Sequence, residues 1–202
     1  MIIIDIPQGG ESWFQEKLGK PSASRFDEIV TTKGELSKQR EGYLYDLAAQ
    51  VISGISPEGF KSSAMEEGTR REDESRKLYE LINDAEVKQC GVIYKDEWKL
   101  ALCSPDGIVN NSYGLELKNV IPKTMVKYLL DGVLPAAYFQ QVQGSLYITG
   151  FDRWDFLAYS PGLPPLIIEV SRDEIFIAKL EVALYEFCAD LRKMVERLRA
   201  IQ

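Results

Sequence analysis

Apolar residues recur along the chain at two different periods, and the two alternate. From Asp173 onward Ile177, Leu180, Leu184, Phe187, Leu191, Met194, Leu198 and Ile201 follow one another at three- and four-residue steps, the spacing of a helix that buries one face. Leu44, Leu47, Ala48 and Val51 give the same period across Tyr43 to Ile52. Ser62 to Ile82 reads as a long charged helix with Glu72, Arg76 and Tyr79 on one face. Pro122 opens a further helix, Tyr138 to Ile148 forms another, and Pro21-Ser22-Ala23-Ser24 reads as a helix start with Ser22 or Ser24 as its cap. The remaining apolar segments are short. Val87 to Tyr94, Leu100 to Cys103, Asp106 to Val109 and Tyr113 to Val120 are expected to form a strand meander. Trp154 to Tyr159 and Leu166 to Val170 add two strands around Pro161-Gly162-Leu163-Pro164-Pro165. Met1 to Ile6 serves as a first strand or arm, and Ser53 to Gly59 as a loop. The order is α/β: a central mixed β-sheet flanked by helices. No repeat or boundary divides the 202 residues, so a single domain over 1–202 is expected.

One stretch of this pattern carries chemistry. Asn110-Asn111-Ser112-Tyr113-Gly114 is turn sequence between Ile108-Val109 and Leu115-Glu116-Leu117-Lys118. These segments should pair antiparallel, bringing Asp106 close to Glu116. Side chains two apart on a strand share a face, so Glu116 and Lys118 lie together while Leu117 points into the core. Two carboxylates and a main-chain carbonyl, that of Leu117, are hard oxygen ligands suited to Mg²⁺ or Mn²⁺. A bound ion of that kind lowers the pKa of water and neutralises charge on a reacting phosphate. The Lys118 ammonium on the same face can position the attacking water or stabilise the transition state.

Composition narrows the chemistry further. The chain has no histidine, which excludes Ser-His-Asp and Cys-His catalysis and histidine-ligated metal sites. Three cysteines, Cys90, Cys103 and Cys188, lack CxxC spacing and read as reduced core thiols. They are too few for a four-cysteine iron–sulfur cluster. No apolar run approaches the ~18 residues needed to span a bilayer. A net charge of −7 runs against a polyanionic partner, yet the distribution matters more than the sum. Lys17, Lys20, Arg25, Lys33, Lys38 and Arg40 form one basic cluster, and Lys118, Lys123 and Lys127 a second beside the acid-x-lysine strand. The better reading is a DNA track.

At these residues the chain resembles the PD-(D/E)xK nuclease superfamily, and more closely its lambda-exonuclease type, the YqaJ-like viral recombinases. Gly68 to Glu80 resembles the family's Gly-x-x-x-Glu helix, with Glu72 at the acidic position. Cys103-Ser104-Pro105-Asp106-Gly107 and Gly114 to Lys118 match its central blocks. Gln141 and Gln143 match its Gln-x-Gln signature, and Leu18-Gly19 with Ser22-Ala23-Ser24 resembles the 5′-phosphate segment. The blocks run in order over roughly residues 13 to 160. The resemblance implies a restriction-endonuclease-like core and Mg²⁺-dependent 5′-to-3′ digestion of one strand of linear duplex DNA. Glu72 would support the hydration shell, Gln141 would lie near the scissile phosphate, and Lys17, Ser22, Ser24 and Arg25 would hold the 5′ phosphate. Gln141 and Gln143, two apart on a helix, do not share a face. The family often has arginine where Lys17 stands, and lysine lacks the bidentate fork, so a moderate preference is implied. A ring-shaped homotrimer, a single-strand annealing protein as partner in phage-type recombination, and a cytoplasmic location in a bacterial host are implied too. Two alternatives use the same core: a structure- or sequence-specific endonuclease, and a catalytically silent DNA-binding module.

Overall fold

The structure, a computed structural model, describes the backbone of residues 1–56 and 63–201, with side chains from 71 onward in the second stretch. Ser62 and the Pro57-Glu58-Gly59 part of the expected loop lie outside the described residues. In chain order the elements begin with β1 (Ile2–Ile4), α1 (Glu11–Lys17), a 3-10 turn at Ala23–Glu28, α2 (Arg40–Ser53) and α3 (Ser63–Asn83). The strands β2 (Val87–Lys88), β3 (Val92–Tyr94), β4 (Leu102–Cys103), β5 (Gly107–Val109) and β6 (Tyr113–Asn119) follow. The chain continues with α4 (Pro122–Asp131), a 3-10 turn at Ala136–Tyr138, α5 (Phe139–Thr149), β7 (Arg153–Tyr159), β8 (Leu166–Ser171) and α6 (Glu174–Arg199).

The strands form a five-stranded sheet in the order β2-β5-β6-β7-β8 and a three-stranded sheet in the order β1-β3-β4. Within the larger sheet β6 and β7 run parallel and the other pairs antiparallel, so it is mixed, as the alternation of periods requires. The expected meander is corrected here. Val87 to Tyr94 is not one strand but two, in different sheets. The break falls at Gly91, where a Cβ would sit 2.3 Å from the Ile6 carbonyl oxygen, and only a glycine lets the chain cross that close to its own N-terminal arm. Helix α1 is a further element that the periodicity did not show.

β6 divides two environments. Leu115 and Leu117 pack into a cluster with Tyr79, Val109 and Leu157, on the side of α3. Glu116 and Lys118 face the other way, in line with Phe156 and Ala158 of the parallel neighbour β7. A larger core joins α2, α5 and α6, with Phe26, Tyr43, Leu146, Trp154 and Phe187 buried at its centre. Gly144 of α5 lies against the Phe26 ring, which a Cβ would approach to 2.3 Å. That close approach holds α5 beside the 3-10 turn that carries Ser24. Asp173 caps α6, its Oδ1 accepting from the Phe176 amide at 2.9 Å.

Helix α3 is tied to the sheet by a buried polar network. Asp155 is 0 % exposed. Its carboxylate accepts from the Tyr79 hydroxyl at 2.5 Å and from Arg153 Nε and Nη2 at 2.8 Å each. The three cysteines are free and buried, and burial pushes the Cys90 thiol up to about 12 and that of Cys188 to about 11. They are inert core thiols. Among the described residues no helix is long and apolar enough to cross a membrane.

Candidate active site

The β5–β6 hairpin closes as the turn sequence requires. Asn110 and Asn111 take positive φ values of 48° and 54°, which short Asx side chains tolerate, and Gly107 pairs with Leu115. Asp106 stands one residue before β5. Its amide donates to the Leu115 carbonyl at 3.1 Å. Its Oδ2 accepts from the Leu117 amide at 2.6 Å, replacing a ladder bond that β5 is too short to supply. The N–H and C=O of one strand residue project to the same edge, so the Leu117 carbonyl is directed toward the edge occupied by Asp106.

Glu116, 3 % exposed, receives two donors on one oxygen. Lys118 Nζ lies 2.6 Å from its Oε1, and Gln141 Nε2 donates to the same atom at 2.6 Å. The Lys118 ammonium also stands 5.2 Å from the Tyr138 ring centroid. Gln141 and Gln143 part company: Gln143 donates to the Ser171 carbonyl and accepts from the Asp173 amide, tying α5 to the start of α6. Glu72 bonds to Arg76 at 2.7 Å and stands close enough to raise the pKa of Asp106.

The site is overloaded with negative charge. Burial, and then the repulsion of Glu116, hold the Asp106 carboxyl well above the usual carboxylate range. Burial raises that of Glu72 as well, against the pull of Arg76. Desolvation works against the Lys118 ammonium, but Glu116 and Asp106 outweigh it and hold its pKa above the usual lysine value. Held between these carboxylates, the Lys118 ammonium is placed for orienting a water and for charge stabilisation. A buried acid that ionises only at a cost, beside a second carboxylate and a main-chain carbonyl, fits a hard divalent cation.

Asp106, Glu116 and Lys118, but not Glu72, line one cavity of about 170 Å³. Asp106, Glu116, Lys118, Gln141 and Ser145 form one wall; Trp13, Lys17, Ser22, Ser24 and Ser104 form the other. A smaller adjoining cavity is lined by Lys17, Lys20, Ser22, Ser24, Arg25 and Gln50 among others. Arg25 lines this second space and not the first. Its guanidinium is held by Glu28 at 2.5 Å and Asp46 at 2.7 Å and stacks 4.0 Å over the Tyr43 ring. Ser22 occupies the N-cap position of the 3-10 turn without capping it; its hydroxyl lies 3.2 Å from that of Ser24. Sequence reasoning missed Trp13 and Ser145. Trp13 stands four residues before Lys17, its ring 3.8 Å from the Lys17 Nζ and its indole N–H on Ser104 Oγ at 2.9 Å. Ser145 follows Gln141 by one helical turn, and both spacings were legible once the helices were drawn.

Residues 12–152 match the YqaJ-like viral recombinase domain. Among solved structures the chain is similar to an alkaline exonuclease, LHK-Exo, from Laribacter hongkongensis, with a TM-score of 0.84 at 28% identity over 95% of this chain and 97% of that one. A structure of LHK-Exo in complex with dAMP gives the same figures. A phage-related exonuclease from Haemophilus somnus 129PT shares the fold, with a TM-score of 0.64 at 14% identity over 90% of this chain and 95% of that one. No curated protein matches the chain.

Proposed function

The chain belongs to the YqaJ-like viral recombinase family, and on that premise we propose that residues 1–202 form one nuclease domain, a Mg²⁺-dependent 5′-to-3′ exodeoxyribonuclease. It digests one strand of linear duplex DNA and leaves a 3′ overhang for strand annealing. The observation that carries this reading is the single cavity shared by Asp106, Glu116, Lys118 and Gln141 with Lys17, Ser22 and Ser24. An alkaline exonuclease covering nearly the whole chain supports it.

Asp106, Glu116 and the Leu117 carbonyl would hold Mg²⁺, or Mn²⁺ in its place. The ion, when bound, supplies an acidified water and offsets charge on the phosphoryl oxygens. The chain's own groups do the rest. Lys118 orients the water and faces the charge that develops on the phosphate. Gln141 fixes the Glu116 carboxylate in one rotamer. Glu72, held by Arg76, accepts hydrogen bonds from the surrounding water. Lys17, Ser22 and Ser24 hold a terminal 5′ phosphate with Arg25 on the far side of the adjoining space, so binding energy at the end of the strand positions the next linkage. A homotrimer around the duplex, with a single-strand annealing protein as partner, completes the reading for a nuclease acting in the bacterial host cytoplasm.

End chemistry tests this assignment. Phosphorylated blunt ends should be digested faster than hydroxyl ends at equal salt, by a moderate factor because lysine is a point charge. Lys17→Ala should shrink that ratio more than it slows digestion of hydroxyl ends. Equal rates in the native protein would remove the 5′ assignment and leave the hydrolytic centre standing.

A pH dependence follows from Asp106. Its folded-state pKa is raised, so its contribution to stability is complete below the ordinary carboxylate range and is lost as pH rises through the raised value. A bound divalent ion offsets that loss. Ca²⁺ should therefore raise the melting midpoint more at about pH 9 than at about pH 6. Activity should climb toward alkaline pH, with no inflection of the histidine type near about 6.5. A Ca²⁺ shift larger on the acid side would contradict the assignment.

A further inference from the structure

The N-terminal arm reaches the hydrolytic centre through one side chain that precedes the family match at residues 12–152. Gln8 follows β1, and its Nε2 donates to two main-chain carbonyls, that of Cys90 at 2.8 Å and that of Pro105 at 2.8 Å. Both hydrogens of the carboxamide are thereby used. The two carbonyls lie where the chain passes between the sheets. β2 ends at Lys88 in the larger sheet and β3 begins at Val92 in the smaller; β4 ends at Cys103 in the smaller and β5 begins at Gly107 in the larger. On these crossings Cys90 and Pro105 have left both ladders, yet both residues are buried, and a buried carbonyl needs a donor. Among the described residues no other donor reaches either one. Trp13 grips the same crossings, its indole N–H donating to Ser104 Oγ at 2.9 Å and to the Gly91 carbonyl at 3.3 Å.

The Pro105 carbonyl shares one planar amide with the Asp106 N–H, and that N–H donates to the Leu115 carbonyl at 3.1 Å. Gln8 and Leu115 hold this plane by its two ends. The plane sets the direction of the Asp106 N–Cα bond, from which the carboxylate extends to the Leu117 amide. Two of these three bonds lie within the β5–β6 hairpin; the third comes only from the arm. We propose that Gln8 is a positioning residue of the hydrolytic centre: by fixing the Pro105–Asp106 peptide plane it holds the Asp106 carboxylate in place for a divalent cation. The proposal rests on Asp106 as a ligand of that cation. Removing a group that orients a ligand typically costs about 10–100-fold in ion affinity. Gln8 acts through the main chain, so the lower end of that range is expected.

The test titrates Mn²⁺ into the DNA-free chain by calorimetry and follows amide hydrogen exchange without the ion. Gln8→Met keeps the length and removes both donors; Gln8→Asn keeps the carboxamide and withdraws it by one methylene. Gln8 is exposed on its outer side, so both chains should fold. Each should bind Mn²⁺ about tenfold more weakly than the native chain, and exchange at the Asp106 amide should quicken about as much. Digestion should fall at limiting Mg²⁺ and recover at saturating Mg²⁺, with KM for DNA unchanged. Ile2→Ala loosens the arm at its far end, where Ile2 packs beside Val92 and Tyr94; it should lower the melting midpoint and leave ion affinity native. Native ion affinity in both Gln8 variants, or an equal loss in Ile2→Ala, would overturn the proposal while Asp106→Asn still binds weakly. Native ion affinity in Asp106→Asn would overturn it together with the reading it rests on.

Discussion

Asp106→Asn and Glu116→Gln are each expected to lower the rate of duplex digestion by at least about 10³-fold, while DNA binding measured in Ca²⁺ largely persists. The loss follows from charge and not from shape. An amide keeps an oxygen to accept from the Leu117 N–H, which Asp106 now bonds at 2.6 Å, so Asp106→Asn avoids the ~1–3 kcal/mol cost of a buried unsatisfied donor. It removes the carboxylate that would ligate the cation and so forfeits electrostatic stabilisation worth roughly 10²–10³ in rate for a single well-placed group, and more when activation of the nucleophile is lost with it. Asp106→Ala should be equally inactive but less stable. Calorimetry should show weakened divalent-ion binding in both amide variants. Lys118→Ala should stop turnover yet leave ion binding measurable, because the cation it removes repels the ion. An Asp106→Asn protein with native activity would end the assignment of this cavity.

The second large effect is on stability. Asp155→Ala should cost about 3 kcal/mol, the lower end for breaking a buried ion pair, because Arg153 is 39% exposed and water recovers part of its charge. For a domain of this size that is a fall of roughly 6–12 °C in melting midpoint. The carboxylate is fully buried and binds Tyr79 on α3 as well as Arg153 on its own strand, so its removal leaves the Tyr79 hydroxyl with only the long 3.4 Å bond to Tyr113 and loosens α3 from the sheet. Calorimetric scans of the native and variant chains decide it. A difference under about 1 kcal/mol would show that packing alone anchors α3.

The hairpin and its carboxylates were legible because everything that places them is local. Turn residues, a two-residue period and a proline set Asp106 beside Glu116 within a dozen positions of sequence. The C-terminal helix was legible for the same reason: its period persists over many turns. The partition of strands between two sheets was not, because Val87 to Tyr94 is continuous in composition and breaks only where Gly91 meets the N-terminal arm, a contact between segments far apart in sequence. The other wall of the cavity shows the same limit. Family motifs pointed to Lys17, Ser22 and Ser24, but only the packing of α5 on Phe26, through Gly144, sets them facing Glu116. Arg25 stood in the same basic run as Lys17. Its pairing with Glu28 is a local i,i+3 contact, but the pairing with Asp46 depends on where α2 lies, which no local spacing reports.

The account stands most directly on one digestion experiment. Linear duplex labelled at the 5′ or 3′ end is compared with a covalently closed circle of the same sequence, in Mg²⁺ and in excess EDTA. The account predicts early release of the 5′ label as a mononucleotide, retention of the 3′ label, an intact circle and no reaction in EDTA. Nicking of the circle, first release of the 3′ label, or cleavage that persists in EDTA would contradict it.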